Sequence, residues 1–170
     1  MHETYDDLAE LQDLIERSAA AGGAHLKHVL TKDHRLSAEA VCSALQGMNL
    51  LVLATVSSDG RPIAGPVDGI FFRGHFHFGS DPNSLRFRHI RRNPHVSASH
   101  LPGEHLQITV HGKATLIDVM SDEQTAFREH LLSIYVPRYG EAWTAMLEGG
   151  AQYARIDAER MFTFWMPEEH

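Results

Sequence analysis

The stretch Leu50-Leu51-Val52-Leu53-Ala54-Thr55-Val56, followed by Ser57-Ser58-Asp59-Gly60-Arg61 and then Pro62 to Phe72, decides the fold. The first run is short, apolar and β-branched, which fits a strand buried on both faces. Asp-Gly between two such runs marks a tight hairpin turn. Strands joined by a turn this short must be antiparallel, because a parallel pair needs a long crossover. The same punctuation continues downstream. Arg73-Gly74 makes the next turn, and His75 to Gly79 forms a third strand.

Working outward, Asp81-Pro82 reads as an N-cap and first helical residue, with a short helix running to Asn93 and stopped by Pro94. Val96 to His100 is a fourth strand, turned by Leu101-Pro102-Gly103. The fifth alternates: Leu106, Ile108, Val110, Ala114 and Leu116 share one face, and Gln107, Thr109, His111, Lys113 and Thr115 the other. Ser121 with Gln124 forms a capping box for a helix burying Phe127, Leu131 and Ile134. Pro137, Gly140, Gly149 and Gly150 punctuate a short helix containing Trp143 and Leu147, and Ala151 to Trp165 is the last strand.

Upstream, Thr4 and Asp7 make a capping box for an amphipathic helix with Tyr5, Leu8, Leu11, Ile15 and Ala19 at helical spacing, ended by Ala21-Gly22-Gly23-Ala24. A second helix starts at Ser37, buries Val41, Leu45 and Met48, and closes near Gly47. The expected fold is therefore mainly β with peripheral helices (α+β), an antiparallel barrel of about six strands. Residues 1–36 form an N-terminal helical extension and residues 37–170 the barrel domain, one structural domain overall.

Bulk properties narrow the function classes. The chain has 170 residues, 43% hydrophobic and 22% charged, enough for one globular core. No run of 18 apolar residues exists to span a membrane, and the acidic N-terminus lacks a signal-like apolar region. Cys42 is the single cysteine, so no intrachain disulfide forms and a cytoplasmic location is expected. A net charge of −7 argues against nucleic acid as a partner. Yet Arg86, Arg88, Arg91 and Arg92 crowd seven residues without an acid, which suits a small anion.

That anion has an obvious place. A strand ends in Gly79-Ser80, a helix then presents unpaired N–H groups, Ser84 adds a hydroxyl, and Arg86 a fork of donors. Together they make a phosphate cradle. Arg91 and Arg92 lie further along and serve their helix.

The stretch also resembles the phosphate-binding segment of the pyridoxamine 5′-phosphate oxidases and their flavin-binding split-barrel relatives. Gly79-Ser80, Ser84-Leu85-Arg86 and Asn93-Pro94-His95-Val96-Ser97 carry the likeness. Leu106-Gln107-Ile108-Thr109-Val110-His111-Gly112-Lys113-Ala114 is similar to the family strand whose glutamine contacts the flavin. Leu53 to Val56, Asp59 to Pro62 and Gly65-Pro66-Val67 look like the opening hairpin, and Ala154 to Trp165 like the closing strand.

The resemblance implies a homodimer binding FMN, with Pro66, Val67, Gly79, Ser80, Ser84, Arg86, Arg88, Gln107 and Trp165 as cofactor-binding candidates. It implies an oxidoreductase moving hydride to or from a small molecule, with the deazaflavin F420 or haem as alternative cofactors. A non-catalytic carrier or sensor is the remaining alternative. Departures point away from authentic pyridoxamine-phosphate oxidation. Leu85 stands where the family has arginine, Asp68 lies where a basic residue is expected, and the segment that binds pyridoxal phosphate has no counterpart before His170.

Other residues keep competing readings. His75 and His77 share a strand face, read as polar-face histidines rather than a metal pair, since tetrahedral sites need more ligands. His89, His95 or His100 are candidate axial haem ligands. Cys42 reads as a buried thiol. Trp165 stacks on a ligand ring or closes a core or dimer face. Tyr135, Arg138 and Tyr139 either line a site or end a helix.

Overall fold

The computed structural model describes residues 2–167. Six strands close a barrel in the order β1-β2-β3-β6-β5-β4, every pairing antiparallel. They are β1 (Met48–Val56), β2 (Pro62–Phe72), β3 (His75–Ser80), β4 (His95–Gly103), β5 (Leu106–Ile117) and β6 (Gln152–Trp165). Closure comes from β1 meeting β4 at Val52↔Ser99 and Ala54↔Ser97. Closure leaves no free sheet edge. The β2–β3 turn places both Arg73 and Gly74 at positive φ, the geometry of a two-residue hairpin loop.

Alternate residues fill the barrel: Leu51, Leu53, Val67, Phe71, Phe76, Phe78, Ile108, Val110 and Ile156 point inward. Helix α1 (Tyr5–Ala20) is part of this core through Leu11, Leu14 and Ile15, and its Thr4–Asp7 capping box is formed. The buried Ser18 hydroxyl accepts from the Met161 amide at 3.0 Å, fastening α1 to β6. Helix α2 (Ala24–Val29), short and without a side-chain cap, has no signal in the sequence. Helix α3 (Ala38–Ala44) is capped by Ser37 as expected, but Met48 belongs to β1, separated from the helix by Gly47 at φ +71°.

Three further expectations change. β1 is not buried on both faces: Leu50 is 60% and Val52 48% exposed on its outer side. The short helix α4 (Leu85–Arg92) begins at Leu85 with Ser84 as cap, because Asp81 turns its carboxylate onto the Asn83 amide at 2.7 Å instead of opening a helix. Ser121 makes no side-chain cap. A 3-10 turn at Asp122–Gln124 leads into α5 (Thr125–Tyr139), which runs through Pro137 to Gly140.

Helices α5 and α6 (Glu141–Glu148) cover the outside of β2, β3 and β6 in a second apolar layer. Phe127, Leu131, Trp143 and Leu147 pack there on Ile70, Phe72 and Tyr153. Each large side chain buried this way contributes about 1.5–3 kcal/mol. The cover also alters the histidine face. His77 is buried against Phe127 (ring centroids 4.2 Å apart), donating from Nδ1 to the His75 carbonyl at 3.1 Å.

Candidate cofactor-binding site

Helix α4 sits rigidly on the barrel. Phe87 is fully buried and stacks on Phe78, and the buried His89 Nδ1 lies 2.9 Å from the Thr55 hydroxyl. Arg92 donates to the Val56 carbonyl at 3.2 Å, and Arg91 to the Pro82 carbonyl at 2.7 Å, closing the turn ahead of the helix. The N-terminus of α4 is thereby fixed before any ligand arrives, which is the preorganisation an anion site needs.

Arg86 crosses from α4 to β2, where its Nη2 donates to the Pro66 carbonyl at 2.8 Å beside Gly65. It is half-buried, and burial lowers its pKa from the ordinary value, yet a guanidinium stays charged. Among the described residues it meets a carbonyl and no carboxylate. Ser84 accepts from the Phe87 amide at 3.4 Å and keeps its own O–H for a ligand. A partly desolvated cation, a hydroxyl and helix N–H groups suit the oxygens of a phosphate monoester.

The remaining candidates scatter. Pro66 and Ser80 lie with this corner, whereas the Val67 side chain points into the barrel, leaving its backbone to face outward. Gly79 is needed for packing: a methyl there would stand 2.6 Å from Tyr153 Cζ. Arg88 is exposed. Gln107 and Trp165 are exposed at the far end of β5 and β6, where Gln107 pairs with Phe164 and Leu106 with Trp165. From Pro66 the register runs through Val52 and Ser99 to Thr109, three strand spacings or about 15 Å around the barrel. One chain does not bring Gln107 to Arg86.

A cavity of about 470 Å³ opens where β2 and β3 stop pairing, lined by Asp68, Gly79, Ser80, Tyr135, Trp143 and Tyr153 among others. Sequence reasoning named Tyr135 as a lining residue, and missed that Asp68, Trp143 and Tyr153 join it. They come from four elements with no shared spacing. Burial, then the Asp68 charge, raises the pKa of both tyrosines above the phenol range. Cys42 is buried, and burial pushes its thiol up to about 12, so it supplies no nucleophile. Among the described residues no group of three His, Cys, Asp or Glu is placed to hold a metal, and no helix is long and apolar enough to cross a membrane.

The closed six-stranded barrel with an anion-binding corner at β3–α4 defines the split β-barrel class. Residues 37–164 match the family described as pyridoxamine 5′-phosphate oxidase, and the chain belongs to that family. Among solved structures it is similar to a conserved hypothetical protein from Mycobacterium tuberculosis, at 17% identity and TM-score 0.65, covering 82% of this chain and 94% of that one. It is similar to the haem storage protein HutZ from Vibrio cholerae, at 19% identity and TM-score 0.60, covering 76% and 95%. A FAD-binding protein from Mesorhizobium loti is similar at 22% identity and TM-score 0.55, covering 74% and 90%. These likenesses establish the shared fold. No curated protein matches the sequence.

Proposed function

We propose that this chain is a homodimeric flavin oxidoreductase that holds the phosphate of FMN at the β3–α4 corner. The observation that carries the reading is Arg86, a half-buried cation paired with a carbonyl at the first turn of an anchored helix. When bound, FMN supplies hydride transfer, and the protein supplies binding, orientation and exclusion of water. Arg86, the Ser84 hydroxyl and the α4 N–H groups hold the phosphate. Gln107 and Trp165 act from the second protomer, which resolves their separation from Arg86.

The exposed apolar residues Leu50, Val52, Ile63 and Leu101, from β1, β2 and β4, form the two-fold face. Leu85 and Asp68 leave the cradle with fewer cations than the family pattern, which supports a substrate other than pyridoxamine phosphate. Arg86 and Arg88, two residues apart, point to different sides of α4. They do not line one groove for a longer phosphodiester tail, which favours FMN over F420. A fluorescence titration tests the cradle. Arg86→Ala should weaken FMN binding about tenfold to a hundredfold, the worth of a charge-assisted hydrogen bond. Unchanged affinity removes the site.

One observation favours haem as a second reading. His100 Nδ1 is held by the Leu50 carbonyl at 3.0 Å, which leaves Nε2 as the ligating nitrogen beside the apolar face. His89, buried against Thr55, is not available for that role. HutZ shares the fold and is a haem storage protein. A Soret band on haemin addition that disappears in His100→Ala would support this reading over FMN.

A further inference from the structure

We infer that the cavity under α5 and α6 is a separate ligand site built for a small organic monocation, an ammonium group on an apolar, ring-sized body. The inference stands apart from the flavin reading and does not need it.

Its volume, about 470 Å³, lies in the range of small-molecule pockets. Ile70, Trp143 and Met146 supply apolar walls, and Trp143 stacks flat on Tyr135 with centroids 4.6 Å apart. Such faces attract a cation as well as an apolar body. The Tyr153 side chain is 94% buried (6% exposed), and the hydroxyl-bearing end of its ring lies over Gly79 on the cavity lining. Among the described residues that hydroxyl has no hydrogen-bond partner. A buried polar group left unpaired is costly, so a ligand atom is the natural partner.

The sign of the ligand follows from the lining. None of the lining residues is basic, and two are acidic, Asp68 and Asp81. Asp81 is engaged by the Asn83 amide, and Arg91 is bonded to the adjacent Pro82 carbonyl. Asp68 makes no ion pair among the described residues and lies close enough to act on both tyrosines. One uncommitted carboxylate calls for one positive charge. Anions belong instead to the Arg86 corner.

Calorimetric titration with 2-phenylethylammonium, 2-phenylethanol and 3-phenylpropionate tests this directly. Saturable binding is expected for the ammonium alone. Asp68→Asn should weaken it about tenfold to a hundredfold, and Tyr153→Phe about tenfold, with far-UV circular dichroism confirming that both variants fold. Should Asp68→Asn fail to fold, Tyr153→Phe carries the same reading. Arg86→Ala should leave ammonium binding unchanged while weakening FMN, which separates this site from the flavin cradle. Equal binding of the alcohol or the carboxylate, no saturation by any of the three, or an affinity indifferent to Asp68→Asn would overturn the inference.

Discussion

Acidification should loosen the α5–α6 cover through His77. Burial, and then the nearby His75 charge, hold its pKa down from 6.5 to about 3. The folded state therefore keeps His77 neutral while the unfolded chain protonates it below 6.5. Between those values the unfolded state binds more protons, so stability rises with pH and is lost as pH falls. Each pH unit in that window is worth about 1.4 kcal/mol, giving about 2 kcal/mol lost between pH 7.5 and pH 5. His130, held down to about 4 by burial and by His2, acts in the same direction but is half-exposed and counts for less. The control is His77→Asn, whose amide nitrogen replaces Nδ1 as donor to the His75 carbonyl without titrating. Urea melts followed by tryptophan fluorescence should show the variant retaining about 2 kcal/mol more of its neutral-pH stability at about pH 5 than wild type retains. Equal acid losses in the two proteins would refute a His77 sealed neutral under α5.

Two further outcomes follow from packing. Gly79→Ala drives a methyl to 2.6 Å from the Tyr153 ring, which is wedged under Phe127, and should cost about 1–3 kcal/mol in urea midpoint terms. Leu50→Glu places a charge on the exposed apolar face of β1, and light scattering should show a monomer that keeps a native circular dichroism spectrum.

The barrel was legible because its information is local. Asp59-Gly60 and Arg73-Gly74 demand hairpins, and the alternation from Leu106 to Ala114 demands a half-buried strand. Period alone does not separate a strand buried on both faces from one that offers Leu50 and Val52 to a partner, so β1 was read as wholly interior. Asp81-Pro82 carries the chemistry of a helix start, but the Asx turn onto Asn83 wins and Ser84 caps three residues later. Pro137 survives inside α5 near its C-terminal end, where one lost backbone bond is offset by packing of Tyr135 and Leu131. The phosphate corner was visible because Ser84 and Arg86 are neighbours in sequence. The Asp68–Tyr135–Trp143–Tyr153 cavity was not, because β2, α5, α6 and β6 meet only in the folded chain.

The claim that the β3–α4 corner grips a phosphate is tested most directly by comparing FMN with riboflavin, the same ring system without the phosphate. Two charge-assisted contacts from Arg86 and the α4 N-terminus should make FMN bind about a hundredfold more tightly, with Arg86→Ala closing much of the gap. Equal affinity for the two, or a gap untouched by Arg86→Ala, would contradict the account.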